Sequence, residues 1–132
     1  GYDNTVEEMK PFYNQCYAKI ADYQKEGFKI KHVGALSKTD LYKLYQESKL
    51  FVYPTKFEEI SCITAMETQM NGLPMITTAT AALPETLGKD SGILLKGDIK
   101  SPKVQNKFVN SVVDLLQENS LDWIRMSKKC NS

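Results

Sequence analysis

Three short apolar runs constrain the fold of this chain more than any other feature: LFVYP at 50–54, PMITT at 74–78 and GILL at 92–95. Each is too short for a stable helix, lacks strict alternation, and is bounded by proline or glycine. Continuous apolarity over so few residues is the pattern of a strand covered on both faces, which is the situation of strands in parallel sheets. FKIKHVG at 28–34 is different: apolar and polar positions alternate between glycines, so it reads as a further, half-buried strand.

The intervening segments read as helices. From Pro11 to about Lys25, Phe12, Cys16 and Ile20 and likewise Tyr13, Tyr17 and Ala21 recur at a spacing of four, with Gly27 as the stop. Ser37 with Asp40 three residues later predicts a capped helix whose inward face is Leu41, Leu44, Tyr45 and Ser48. A helix is expected over about 61–71, ended by Gly72 and Pro74. Another is expected after Ser101-Pro102, with a stripe of Val104, Phe108, Val112, Leu115 and Leu116, and a last one from about Ser120 that carries Trp123. Strands separated by helices imply an α/β fold: a Rossmann-like parallel sheet with helices on both faces. Ligands of such sheets collect beyond the carboxyl ends of the strands, which here means VGAL, TKFEEISC and TATAALPE.

Composition narrows the function. A net charge of +1 with lysines spread along the chain lacks the basic face of a nucleic-acid binder. Arg125 is the single arginine and His32 the single histidine, so bidentate anion clamps and histidine-based metal or triad chemistry have almost no donors. Cys16, Cys62 and Cys130 are odd in number and lack zinc-site spacing, which fits a reduced, cytoplasmic setting. No apolar run approaches the roughly 18 residues needed to cross a bilayer, and no signal-peptide layout is present. A soluble protein is expected.

The segment EEISCITAMETQMNGLP at 58–74 carries the chemistry. Its loop leaves one strand and enters a helix, so backbone amides at the helix start form an anion site. Glu59 precedes that helix and Glu67 lies within it. Two carboxylates beside a phosphate site make sense as acceptors for hydroxyl groups flanking the phosphate, and a nucleotide sugar has hydroxyls on both sides of its diphosphate.

Pro54-Thr55, Glu59, the interval to Glu67, Gly72-Leu73-Pro74, and Leu83-Pro84-Glu85 with Gly92 together resemble the donor-binding C-terminal domain of retaining GT-B glycosyltransferases of the group 1 type, over about residues 33–95. The resemblance implies that residues 1–132 form a single, partial nucleotide-sugar-binding domain. It implies that the full-length protein transfers a hexose from a nucleotide sugar, UDP-linked, to an acceptor. Glu59 would be the residue of the catalytic centre, holding hydroxyls of the donor sugar. Glu67 would hold the ribose hydroxyls, and the amides of Ile60, Ser61, Cys62 and Ile63 would line sugar and diphosphate. Backbone at Gly34, Ala35 and Leu36 would border the base. Neither a metal nor another cofactor is implied.

The chain departs from the family pattern in two places. Ile60-Ser61-Cys62 stands where relatives carry glycine, and the arginine and lysine that grip the diphosphate belong to segments that are not in this sequence. GYDN at the start resembles the loop that ends the family domain's second strand, so the first two strands are expected to be supplied elsewhere. Either FKIKHV pairs directly with LFVYP, or the missing N-terminal domain or a second chain completes the sheet. The isolated chain would be inactive.

Structural readings stand beside these. Glu59 could serve only the helix dipole, and Glu67 could be a solvent-facing helix residue. Cys62 at a helix start and His32 read as structural, and Met66, Met70 and Met75 read as core fillers. Glu85 is as consistent with a turn as with a ligand. The alternative function is a noncatalytic Rossmann-like interaction domain that has lost donor binding.

Overall fold

The computed structural model describes residues 7–58, 62–88 and 90–130. They fall into two units, residues 1–37 and Lys38–Ser132. In the first, a short 3-10 turn at Glu7–Met9 leads into helix α1, Lys10–Lys25. Gly27 ends it with φ at +97°, a left-handed conformation that glycine adopts without steric cost. The chain then folds back on the helix: the Gln24 side-chain amide donates to the Ile30 carbonyl at 2.7 Å, and His32 meets Tyr17 edge-on at 5.1 Å.

Residues 28–34 are not a strand. Their alternation is genuine, but a strand exists only through a hydrogen-bonded neighbour, and this segment pairs with no strand among the described residues; Phe28, Ile30 and Val33 are exposed. His32 has the ring contact of a structural residue.

The second unit contains α2 (Lys38–Glu47), β1 (Phe51–Tyr53), α3 (Ile63–Met70), β2 (Met75–Thr78), α4 (Leu83–Thr86), β3 (Gly92–Leu95), α5 (Pro102–Leu116) and α6 (Leu121–Cys130). The strands form a parallel sheet in the order β1-β2-β3, with Phe51 opposite Met75 and Met75 opposite Gly92. Helices cover both faces. Cys62 and Ala65 of the α3 segment pack with Met75, Leu83 and Leu87 on one side. Phe108 of α5 packs with Ile76 and Leu95 on the other. Every residue of β2 is buried, the apolar Met75 and Ile76 and the two threonines alike.

The burial of β1 is weaker than its sequence suggests. Among the described residues it pairs only with β2, and Val52, which points away from the α3 side, is exposed. Of Met66, Met70 and Met75 only Met75 is a core residue; Met66 and Met70 are exposed, because the inward positions of α3 belong to Ala65 and Thr68.

The ends of α3 and α5 are fixed by local chemistry. At α3, the Gly72 amide donates to the Gln69 carbonyl at 3.0 Å and the Leu73 amide to the Thr68 carbonyl at 2.9 Å. These are the two bonds of a Schellman stop, and Gly72 has φ at +72°. They turn the chain straight into β2. At α5, the Lys49 ammonium reaches the terminal carbonyls of Leu116 and Gln117 at 3.3 and 3.4 Å, where a cation meets the negative end of the helix dipole. Lys49 also lies over the ring of Trp123, whose indole NH donates to the Lys49 carbonyl.

Gly92 shows why that position tolerates no side chain: a Cβ there would lie 2.1 Å from the Met75 carbonyl oxygen. The leucine-proline-glutamate segment forms the single-turn α4, with Leu83 buried and Glu85 exposed. Gln69 ties it to α3: its amide donates to the Thr86 carbonyl at 3.0 Å, and its oxygen accepts from the Gly88 amide at 2.8 Å.

Threonines hold the loop after β1. The buried Thr78 hydroxyl donates to the Thr55 carbonyl and accepts the Thr55 amide at 3.3 Å, while Thr77 donates to the Tyr53 carbonyl at 2.7 Å. Thr55 in turn accepts the Phe57 amide at 3.0 Å. Thr78→Val keeps shape and volume but removes the acceptor of the buried Thr55 amide and leaves the Thr55 carbonyl with the Thr80 hydroxyl at 3.5 Å. The expected cost is about 1–3 kcal/mol, read as a lower denaturant midpoint at constant slope, with Thr78→Ser close to wild type.

Candidate functional site

The chain leaves β1 at its carboxyl end, and α3 is the next helix in sequence, so Glu67 stands on the second turn of the helix that follows β1. Its side chain is only 11% exposed. A carboxylate so enclosed requires partners, and α2 provides them. Lys38 Nζ forms a salt bridge and hydrogen bond with Glu67 Oε1, and the Tyr42 hydroxyl approaches the same oxygen at 3.3 Å. The Lys38 ammonium also lies 5.6 Å from the centre of the Tyr42 ring.

Lys38, Tyr42 and Tyr45 recur at i, i+4 and i+7 and therefore share a face of α2. Tyr42 and Tyr45 stack with centroids 6.4 Å apart, Tyr45 meets Phe51 of β1 edge-on at 5.9 Å, and Phe51 lies against Tyr53 at 6.1 Å. An aromatic ladder thus fastens α2 to the sheet and fixes the distance from Lys38 to α3.

The electrostatics follow from this enclosure. The hydrogen bond to Glu67 raises the Lys38 pKa, against a smaller opposing effect of desolvation. Burial, followed by the negative charge of Glu67, pushes the Tyr45 phenol up, so its hydroxyl stays neutral beside the carboxylate. At the far end of the chain burial raises the Cys130 thiol, whose sulfur donates to the Ser91 carbonyl at 3.4 Å.

The sequence-derived site residues divide into three groups. Glu67 is enclosed on α3, with Cys62 and Ile63 at the start of the same helix. The Cys62 side chain is in the core, so a ligand there would meet its main chain only; Ile63 is exposed. Glu59, Ile60 and Ser61 lie outside the described residues. Gly34, Ala35 and Leu36 belong to the first unit, where Gly34 has φ at +66° with open space around its α-carbon. Glu67 is buried rather than solvent-facing.

Two members of the cluster, Lys38 and Tyr42, were not singled out from the sequence. Their one sequence signal is the i, i+4 spacing on a helix preceding the strand, which reports a shared face but not what that face meets.

A cleft of about 560 Å³ opens elsewhere, lined by Pro54, Lys56, Ile99, Lys100 and Phe108 among others. It lies on the α5 side of the sheet and shares no residue with the Glu67 cluster. The Lys100 amine beside Lys56 lowers the Lys56 pKa, with Asp98 opposing. Size alone does not make it the reactive centre. Among the described residues no cluster of metal-ligating side chains occurs, and no helix is long and apolar enough to cross a membrane.

A family model described as glycosyl transferases group 1 matches residues 7–129. The chain belongs to that family. No curated protein and no solved structure matches it. In this group 1 glycosyltransferase chain the family match spans nearly the whole sequence, including both units. The parallel sheet with helices on both faces is the Rossmann-like architecture expected for it.

The Lys38–Glu67 bond can be checked directly. Lysine side-chain NMR should place the Lys38 midpoint above the ordinary value of 10.5, since its charged form is the one that gains the partner. The pair's contribution is therefore complete below that ordinary value and fades only as pH rises through the raised one. A midpoint at or below 10.5 would contradict the bond.

Proposed function

We propose that this chain is the donor-binding part of a retaining GT-B glycosyltransferase, and that the protein transfers a hexose from a nucleotide sugar, UDP-linked, to an acceptor held by a further domain. The observation that best supports this reading is Glu67: an enclosed carboxylate, oriented by Lys38 and Tyr42, on the helix beyond the carboxyl end of β1. A carboxylate there is suited to accept two hydroxyls of a ribose.

In this reading Glu59 holds hydroxyls of the transferred sugar, and the main-chain amides of Ile60, Ser61, Cys62 and Ile63 face sugar and diphosphate. Backbone at Gly34, Ala35 and Leu36 borders the base. Transfer proceeds on one face of the sugar, and the departing diphosphate helps to deprotonate the acceptor hydroxyl. Neither glutamate need act as nucleophile or general base. Further strands, from another part of the protein or a second chain, complete the sheet beyond β1, whose outer edge has no strand partner among the described residues.

The alternative, a noncatalytic interaction domain, draws on the outer face of α5, where Val109, Val113 and Leu116 are all exposed. Separate Glu67→Gln and Glu59→Ala variants of the full-length protein distinguish the two. A hydrogen bond to a charged group is worth about 1.5–3 kcal/mol, so Glu67→Gln should raise the donor KM about ten- to a hundredfold. Glu59→Ala should depress kcat/KM. Normal transfer by both variants would refute the site assignment.

A further inference from the structure

Glu67 is not simply an exposed acceptor awaiting a ligand. Both of its hydrogen bonds among the described residues fall on one oxygen, Oε1: Lys38 Nζ and the Tyr42 hydroxyl converge there from the same face of α2. An ionised carboxylate has about four lone-pair sites. Two partners on Oε1 leave the Oε2 edge for a pair of vicinal hydroxyls. The side chain of Glu67 is 11% exposed whereas that of Lys38 is 66% exposed, so the carboxylate is the enclosed member of the pair and the lysine the solvent-facing one. Tyr42 is itself stacked on Tyr45, which is wedged against Phe51 of the sheet.

Taken with the proposed donor-binding role of Glu67, on which this inference rests, the geometry points to Lys38 and Tyr42 as positioning residues for nucleoside recognition. They hold Glu67 through Oε1, in one rotamer and with its charge balanced, so that Oε2 is presented to the ribose diol before any donor arrives. The ligand class is a ribonucleoside with both ribose hydroxyls free, and the two residues act through Glu67 rather than on the phosphates. Pre-organisation of this kind raises affinity by removing the cost of ordering the carboxylate during binding.

The test is calorimetric titration of the full-length protein with UDP and, separately, with uridine. Lys38→Met should weaken both by the same factor, about tenfold; Lys38→Arg should recover most of the loss, and Tyr42→Phe should weaken both about threefold. A loss confined to UDP would mean that the ammonium contacts phosphate, and would overturn the positioning role. Unchanged binding by Lys38→Met, in a protein whose Glu67→Gln variant no longer binds, would overturn it too while leaving the donor-site reading intact. Normal UDP binding by Glu67→Gln would remove both. Lys38→Met leaves the enclosed Glu67 carboxylate with the Tyr42 hydroxyl as its partner among the described residues, so each variant is first checked for cooperative melting; if Lys38→Met does not melt cooperatively, Tyr42→Phe provides the same comparison of UDP with uridine.

Discussion

The enclosure of β2 is the constraint on which the second unit depends. Met75–Thr78 is paired at both edges and covered on both faces, so its backbone groups and side chains all lie away from water. Apolar burial at about 25 cal/mol per Å² drives this arrangement, but the strand also carries two hydroxyls into the interior. Thr77 and Thr78 are tolerable there because each bonds the backbone of β1 or of the loop after it. The residues that seal the core therefore also fix where the chain leaves β1.

The same logic places Glu67. The Schellman stop at Gly72 aligns the end of α3 with the start of β2, and the aromatic ladder from Tyr42 to Phe51 aligns α2 with β1. Two helices anchored independently to one sheet bring Lys38 to Glu67 across 29 residues of sequence. An ion pair that is enclosed on one side is modest evidence for stability, because desolvation offsets much of the attraction. Its value in the proposed donor site is orientation, because a carboxylate held in place needs less ordering when a ligand binds.

Much of this was legible in the sequence, and the exceptions have physical causes. Buried strands announce themselves by continuous apolarity, so β2 and β3 were readable residue by residue, and the glycine that stops α3 was equally plain. FKIKHV misled because alternation reports a two-sided segment without guaranteeing a pairing partner. Met66 and Met70 misled because residue type says how well a side chain would fill a core, not which way the helix is turned. Glu67 stands out in the sequence only through the family resemblance, since a glutamate inside a helix is as readily a solvent-facing residue. Lys38 and Tyr42 escaped, since a contact between helices distant in sequence leaves no local pattern. The four-residue α4 was read as a turn, which at that length differs from a helix by a single hydrogen-bonded loop of backbone.

A crystal structure of the full-length protein with UDP bound tests the central claim most directly. The expected result is a ribose whose hydroxyls lie within about 2.6–3.2 Å of the Glu67 carboxylate, with Lys38 and Tyr42 still bonded to Oε1. A nucleotide seated away from α3, with Glu67 still closed against Lys38 and no sugar oxygen near it, would contradict the account.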